Sequence, residues 1–229
     1  MNEQADCCGT ALRLSIDTKA VVKLGALSRN GMSRVPTDAA DHDHEHDGVV
    51  VPVGILLPQY QELWIYMVPS KATADCLVDV VELFWEENRA RFPQVQRLVL
   101  NQDNGPENNS RRTQYIQRIV QFSDQASIDV SLAYYPPYHS KYNPIERCWG
   151  ALEKHWNGSL LPTVDAAVGF AKTMTWCGEA PQVRLLARVY ETGKKVAASV
   201  MKGLEQARLK RDEILGRWFV EIAHQSTCL

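Results

Sequence analysis

Tyr135-Pro136-Pro137-Tyr138-His139-Ser140-Lys141-Tyr142-Asn143-Pro144-Ile145-Glu146-Arg147 joins a stiff proline turn to the start of a helix. Pro136 and Pro137 restrict the backbone before Tyr138, and Asn143-Pro144 restricts it again where the helix begins. The pattern predicts a helix over Pro144–Trp156, with Trp149 and Trp156 on one core-facing side. Its first turn carries a carboxylate, Glu146. Two readings stand. Asn143 as cap, Pro144 at the first helical position and Glu146 three residues after the cap would make a capping box. A glutamate held on so rigid an approach would also serve as one ligand of a metal site.

Outward from this stretch the chain alternates strands and helices. Toward the N-terminus lie a strand over Ile128–Tyr134, a helix over Arg111–Asp124, a strand over Gln96–Gln102 and an amphipathic helix over Lys71–Arg91 that Pro93 closes. Before them come strands Leu63–Val68 and Val49–Leu57, a polar loop over 28–48, and Ala20–Leu27 as a partner for the strand Ala11–Asp17. After Gly158 the pattern predicts helices over Val164–Trp176, Val183–Tyr190 and Lys194–Asp212. The expected organisation is a leader over 1–10, an α/β domain over 11–158 with a mixed sheet flanked by crossover helices and with 28–48 inserted, and a helical C-terminal extension over 159–229.

Two further carboxylates end strands: Asp17 in Leu14-Ser15-Ile16-Asp17-Thr18-Lys19, and Asp103 in Leu100-Asn101-Gln102-Asp103-Asn104-Gly105. Each could be an Asx-type turn. Strand ends in one sheet lie ~5 Å apart, so carboxylates there can converge with Glu146. Such hard oxygen ligands suit Mg²⁺ or Mn²⁺. Two ions ~3.5–4 Å apart stabilise the attacking and leaving oxygens of an in-line displacement. Glu107 is a conceivable substitute ligand, but its place is on the turn after Asp103.

The totals exclude several classes. The 229 residues are 45% hydrophobic and 23% charged, as in an ordinary globular protein. No apolar run approaches the ~20 residues that span a bilayer, and Met1–Thr10 has no apolar segment of a signal peptide, so the cytoplasm is the default location. The six cysteines form no C-x-x-C pair and indicate neither a zinc ribbon nor a disulfide framework. Net charge is −2, but residues 184–217 hold nine Lys and Arg against four Asp and Glu, either a solvated helix face or a phosphate-binding strip. Asp41-His42-Asp43-His44-Glu45-His46-Asp47 reads as a solvated acidic tract, with metal binding as the alternative. His139, Lys141 and Arg147 flank Glu146 and could touch DNA phosphates, or simply line an exposed loop.

The chain resembles DDE transposases, in particular the Rhodopirellula-type transposase DDE domain. The matching pieces are Ser15 through Ala20, Ser28-Arg29-Asn30-Gly31, Asp41-His42-Asp43, Asp103 through Glu107, Arg111-Arg112-Thr113-Gln114, Tyr134 through Gly150, Glu153 through Gly158 and, weakly, Arg217-Trp218. The resemblance implies an RNase H-like fold over 11–158 with a triad in which Asp17 matches the first aspartate, Asp103 the second and Glu146 the glutamate. It implies Mg²⁺ or Mn²⁺, two ions in all, and DNA as partner at an insertion sequence's ends and at its target, and it admits a homo-oligomer. The activity implied is strand cleavage followed by attack of the freed 3′-hydroxyl on target DNA. A nuclease without strand transfer, and an inactive remnant that binds DNA or oligomerises, are the alternatives. Similar transposases carry a helical end-recognition region ahead of the first catalytic strand, and only ten residues precede Ala11. The chain therefore reads as the catalytic portion of a longer enzyme, through a truncated gene or a split product.

Overall fold

The structure, a computed structural model, describes residues 2–29, 31–33, 36, 38–40, 46–136 and 142–225. His139, Lys141 and the tract Asp41–Glu45 lie outside these.

Strand alternation does most of the sorting. In β1 (Ala11–Thr18), Leu12, Leu14 and Ile16 enter the larger hydrophobic cluster, which leaves Arg13, Ser15 and Asp17 on the opposite face. β3 (Gly48–Leu57) and β4 (Glu62–Val68) are buried along almost their whole length, as central strands covered on both sides are. α2 (Ala74–Asn88) is capped by Thr73, and a 3₁₀ turn (Arg89–Arg91) closes it. β5 (Arg97–Gln102), α3 (Thr113–Ala126) and β6 (Asp129–Tyr134) follow. A short α1 (Asn2–Cys7) packs against β1.

The central strands run in the order β4-β3-β1-β5-β6; β1, β3 and β4 pair antiparallel, while β5 and β6 continue from β1 in parallel. α2 and α3 bury one face, through Val78, Phe84, Ile116 and Ile119. α4 (Glu146–Trp156) and α5 (Val164–Thr173) cover β3 and β4 on the other, where Leu56, Ile65 and Met67 meet Trp149, Leu152 and Ala167. This is the RNase H-like arrangement. Among the described residues no helix is long and apolar enough to cross a membrane.

Three expectations change. The segment Ala20–Leu27 does not pair with β1: its strand, β2 (Val22–Leu24), lies on the first half of β3, opposite Gly48–Val50, while β1 takes the second half, Val53–Leu56. A ten-residue strand has room for both neighbours on one edge. The helix expected over Val183–Tyr190 is instead a strand, β7 (Gln182–Leu185), parallel to β4. The open edge of β4 supplies a hydrogen-bond ladder, and Val183 gains a buried site against Ile65, which local helix preference cannot match. The helix expected over Lys194–Asp212 shortens to α6 (Ala198–Arg208), after which β8 (Leu209–Arg211) and β9 (Phe219–Ile222) turn back to extend the sheet beyond β6.

Between β7 and α6 an extended strap crosses α2 and α3. Leu186 donates its N–H to Met67 and Val196 donates to the Thr113 hydroxyl. Its centre is tied by charge: Asp79 of α2, 8% exposed, accepts from Arg118 of α3 (2.7 Å) and from Arg188 (2.6 Å) and Tyr190 (2.9 Å) of the strap. Much of the basic run is paired in this way, Arg184 with Glu87, Lys194 with Asp75, Arg208 with Asp124 and Arg211 with Glu205.

Candidate functional site

Asp17 lies inside β1 and not in a turn; its cross-strand partner is Gly54 of β3. Asp103 follows the last residue of β5, the neighbouring strand on the other side. Glu146 opens α4. The three therefore converge at one end of the sheet, and their charges act on one another. Burial, before anything else, pushes the Asp17 carboxyl up to about 7, and the charges of Glu146 and Asp103 push the same way, while a hydrogen bond from Trp149 opposes them. Glu146 is also raised, by burial and then by Asp103, with Lys19 opposing. Lys19 is itself ion-paired to Glu153, further along α4. Arg147 is exposed beside Glu146.

Neighbours absent from the sequence reading set these carboxylates. The indole N–H of Trp149 donates to Asp17 Oδ2 at 2.7 Å, so this tryptophan is a core residue and a carboxylate partner at once. Its i+3 spacing from Glu146 is the sequence signal for that placement. Asn108 donates through Nδ2 to Asp103 Oδ1 at 3.0 Å and to the Asp103 carbonyl at 3.1 Å. Gly105 keeps the space beside that carboxylate open, since a Cβ there would stand 3.1 Å from Asp103 Oδ2. Glu107 is held on the turn by Arg112 at 3.1 Å, as the sequence places it.

The capping box at Asn143 does not form. α4 starts from Ile145 with no side-chain cap. The Asn143 side chain instead crosses to β1, donating to the Ile16 carbonyl at 2.9 Å and accepting from Ser15 Oγ at 2.5 Å; Ser15 Oγ in turn accepts from the Ile145 N–H at 3.1 Å. Asn143 and Ser15 are buried, and their pairing satisfies groups that would otherwise be costly to bury. Gly54 lets the helix come this close. A Cβ on it would lie 2.6 Å from Trp149 Cη2 and 2.7 Å from Ile145 Cδ1. Among the described residues no three Asp, Glu, His or Cys side chains stand close enough, as placed, to enclose a metal ion.

No curated protein matches the sequence. Among solved structures, a Mos1 transposase in a paired-end complex with the left transposon end is similar at a TM-score of 0.51 and 8% identity, over 72% of this chain and 48% of that one. This chain thus spans about half the length of that transposase, and the likeness is one of fold. The human cytomegalovirus terminase nuclease domain aligns at a TM-score of 0.29 and 9% identity, over 90% of this chain and 80% of that one. The profile of the family described as Rhodopirellula transposase DDE domain matches residues 2–224. With a match over so much of its length, the chain belongs to the Rhodopirellula transposase DDE domain family.

Proposed function

We propose that this chain carries the DNA-cutting and strand-transfer chemistry of a transposase, with Asp17, Asp103 and Glu146 as the residues that hold divalent cations. The observation that carries the reading is tertiary. Asp17 in β1, Asp103 just past β5 and Glu146 at the start of α4 lie at one end of the sheet although remote in sequence. There burial first, then the charges of Glu146 and Asp103, raise the Asp17 carboxyl, while burial and then Asp103 raise Glu146. Like charges gathered at a half-buried site are the arrangement a cation stabilises.

The donor set fits Mg²⁺ or Mn²⁺, being all carboxylate oxygen, with no thiolate or imidazole contributed from the described residues. When bound, such ions supply the positive charge that polarises a phosphate and eases deprotonation of the attacking water or 3′-hydroxyl. The chain's part is placement. Trp149 ties one oxygen of Asp17, Asn108 ties one oxygen of Asp103, and the Asn143–Ser15 bonds fix where the first turn of α4 presents Glu146. Rotation of three short side chains about these anchored backbones is what would draw the carboxylates together. The reaction needs no nucleophile from the protein, because water and then the DNA hydroxyl attack. Arg147 lies beside the site for a phosphate contact.

The test is cleavage of a labelled duplex carrying the ends of the host element, with Mg²⁺, Mn²⁺ or EDTA. Cutting that needs the metal and is lost in Asp103→Asn and Glu146→Gln is the expected result; cutting unchanged in either variant overturns the assignment. Joining of a 3′-end to a second duplex separates a transposase from a nuclease that cuts without transfer.

A further inference from the structure

We propose that Arg111 and Arg217 form a phosphate-binding pocket at the far end of the loop that starts at Asp103. As a site for the DNA backbone, the pocket rests on the DNA reading above. Two stretches left unexplained by the carboxylate site meet here: Arg111-Arg112-Thr113-Gln114, and the end of the basic run. Fold topology brings them together, because β8 and β9 return alongside β6 and set the 211–217 turn against the 110–113 loop. The resulting cavity is ≈ 350 Å³, enough for a phosphate and its water.

Its wall is built and its free charge is positive. Arg211 is committed: it grips Glu205 with two bonds (3.0 and 2.6 Å) and donates to the carbonyls of Ser110 (2.8 Å) and Gly216 (3.3 Å). That set cancels the one carboxylate of the lining and welds the 211–216 turn to the Ser110 loop. Arg111 and Arg217 are different. Both line the cavity, both are exposed, and neither side chain has a hydrogen-bond or ion-pair partner among the described residues. By contrast, Arg184, Arg188, Lys194 and Arg208 of the same run have carboxylate partners. Two guanidinium groups left open over one cavity match a phosphate, which accepts planar, paired N–H donors. The positive end of α3, which begins at Thr113 on the pocket's wall, adds charge of the same sign.

The loop itself links pocket to carboxylates. Asn108 holds Asp103 at one end, the Ser110 N–H donates to Asn104 Oδ1 at 3.1 Å in the middle, and Arg211 holds the Ser110 carbonyl at the other. A strand whose phosphate sits on Arg111 and Arg217 would therefore be registered against Asp103 through a short, bonded loop.

The test measures affinity for a labelled duplex in EDTA over a salt series, for the full chain and for Arg111→Gln, Arg217→Gln and the double variant, with thermal unfolding confirming that each is folded. Because one phosphate is held between the two arginines, the double variant is expected to reduce the slope of log affinity against log salt by about 0.9, each single variant by less, and the Arg→Lys versions by little. Lys172→Gln, which removes another exposed cation, on α5, leaves the slope unchanged. A second arm titrates inorganic phosphate and ATP against thermal unfolding. Stabilisation that disappears in the double variant, with an unchanged duplex slope, would assign the pocket to a free phosphate ester instead of the DNA backbone. No change in either arm overturns the pocket. Because binding is read in EDTA, its failure is separate from failure of metal-dependent cutting. If the wild type binds no duplex, the DNA reading falls while the phosphate arm still decides the pocket.

Discussion

Asn143 donates its side-chain amide to the carbonyl of Ile16 at 2.9 Å, so the loop before α4 is bonded to β1 one residue ahead of Asp17. The same side chain accepts from Ser15, and Ser15 accepts from Ile145. Two of the three proposed ligands, Asp17 and Glu146, thus sit on elements joined by a buried polar knot. Asn143→Leu keeps the volume and removes the bonds, leaving the Ile16 carbonyl and the Ser15 hydroxyl short of partners. A loss of about 2–3 kcal/mol in urea denaturation is expected, with Ser15→Ala costing less. A double-mutant cycle should show coupling of about 0.5 kcal/mol or more between them; strict additivity would mean the knot is not cooperative.

Gly54 is where helix and sheet touch. Gly54→Ala puts a methyl within 2.6 Å of Trp149 and 2.7 Å of Ile145 by the present geometry, so α4 must move off the sheet. Overpacking of this kind costs about 1–3 kcal/mol. In a Trp149→Phe background, whose smaller ring vacates the nearest atoms, the same substitution should cost distinctly less, and chemical denaturation of the four proteins measures the difference.

The raised Asp17 carboxyl makes stability depend on pH. A carboxyl whose folded pKa is about 7, against 3.8 when unfolded, contributes stability that is fully present below the unfolded value and is lost as pH rises through about 7. Without divalent ions, Asp17→Asn should therefore be the more stable protein at pH 8, by up to about 4 kcal/mol, and its advantage should fade toward pH 4. Trp149→Phe, which removes a hydrogen bond to the charged form, should raise the Asp17 pKa further, as read by carboxyl NMR.

Divalent ions should act in the opposite sense. If Asp17, Asp103 and Glu146 hold a cation, Mg²⁺ or Mn²⁺ at ~100-fold over its dissociation constant stabilises the wild type by about 2.7 kcal/mol. The melting temperature of Asp103→Asn or Glu146→Gln should rise much less under the same addition. Equal rises in wild type and variants would place any ion elsewhere.

Asp79 anchors the strap. Asp79→Ala frees Arg188 and leaves the buried Tyr190 hydroxyl without its acceptor, while Arg118 keeps Glu82 and Asp75, so a loss of about 1–3 kcal/mol is expected. The strap should open before the rest of the domain, giving faster tryptic cleavage after Arg188, next to the exposed Val189. Cleavage at the wild-type rate would show that the strap is held by other contacts.

What the sequence determined by itself is local and periodic. Alternation placed β1, β3, β4, β5 and β6, helical spacing placed α2, α3 and α4, and the stretch ending in Asn143-Pro144-Ile145-Glu146 identified the family and put Glu146 in a helix's first turn. Three outcomes depended on partners far along the chain. Val183 became a strand because β4 had an open edge, β2 moved to β3 because that strand was long enough for two neighbours, and Asn143 gave up capping because Ser15 and Ile16 offered its side chain better-buried partners. The second role of Trp149, and the meeting of Arg111 with Arg217, are of the same kind. A side chain's type and spacing state which bonds it can make. Which of them it makes is decided by burial, where an unpaired polar group is costly and only tertiary packing chooses the partner.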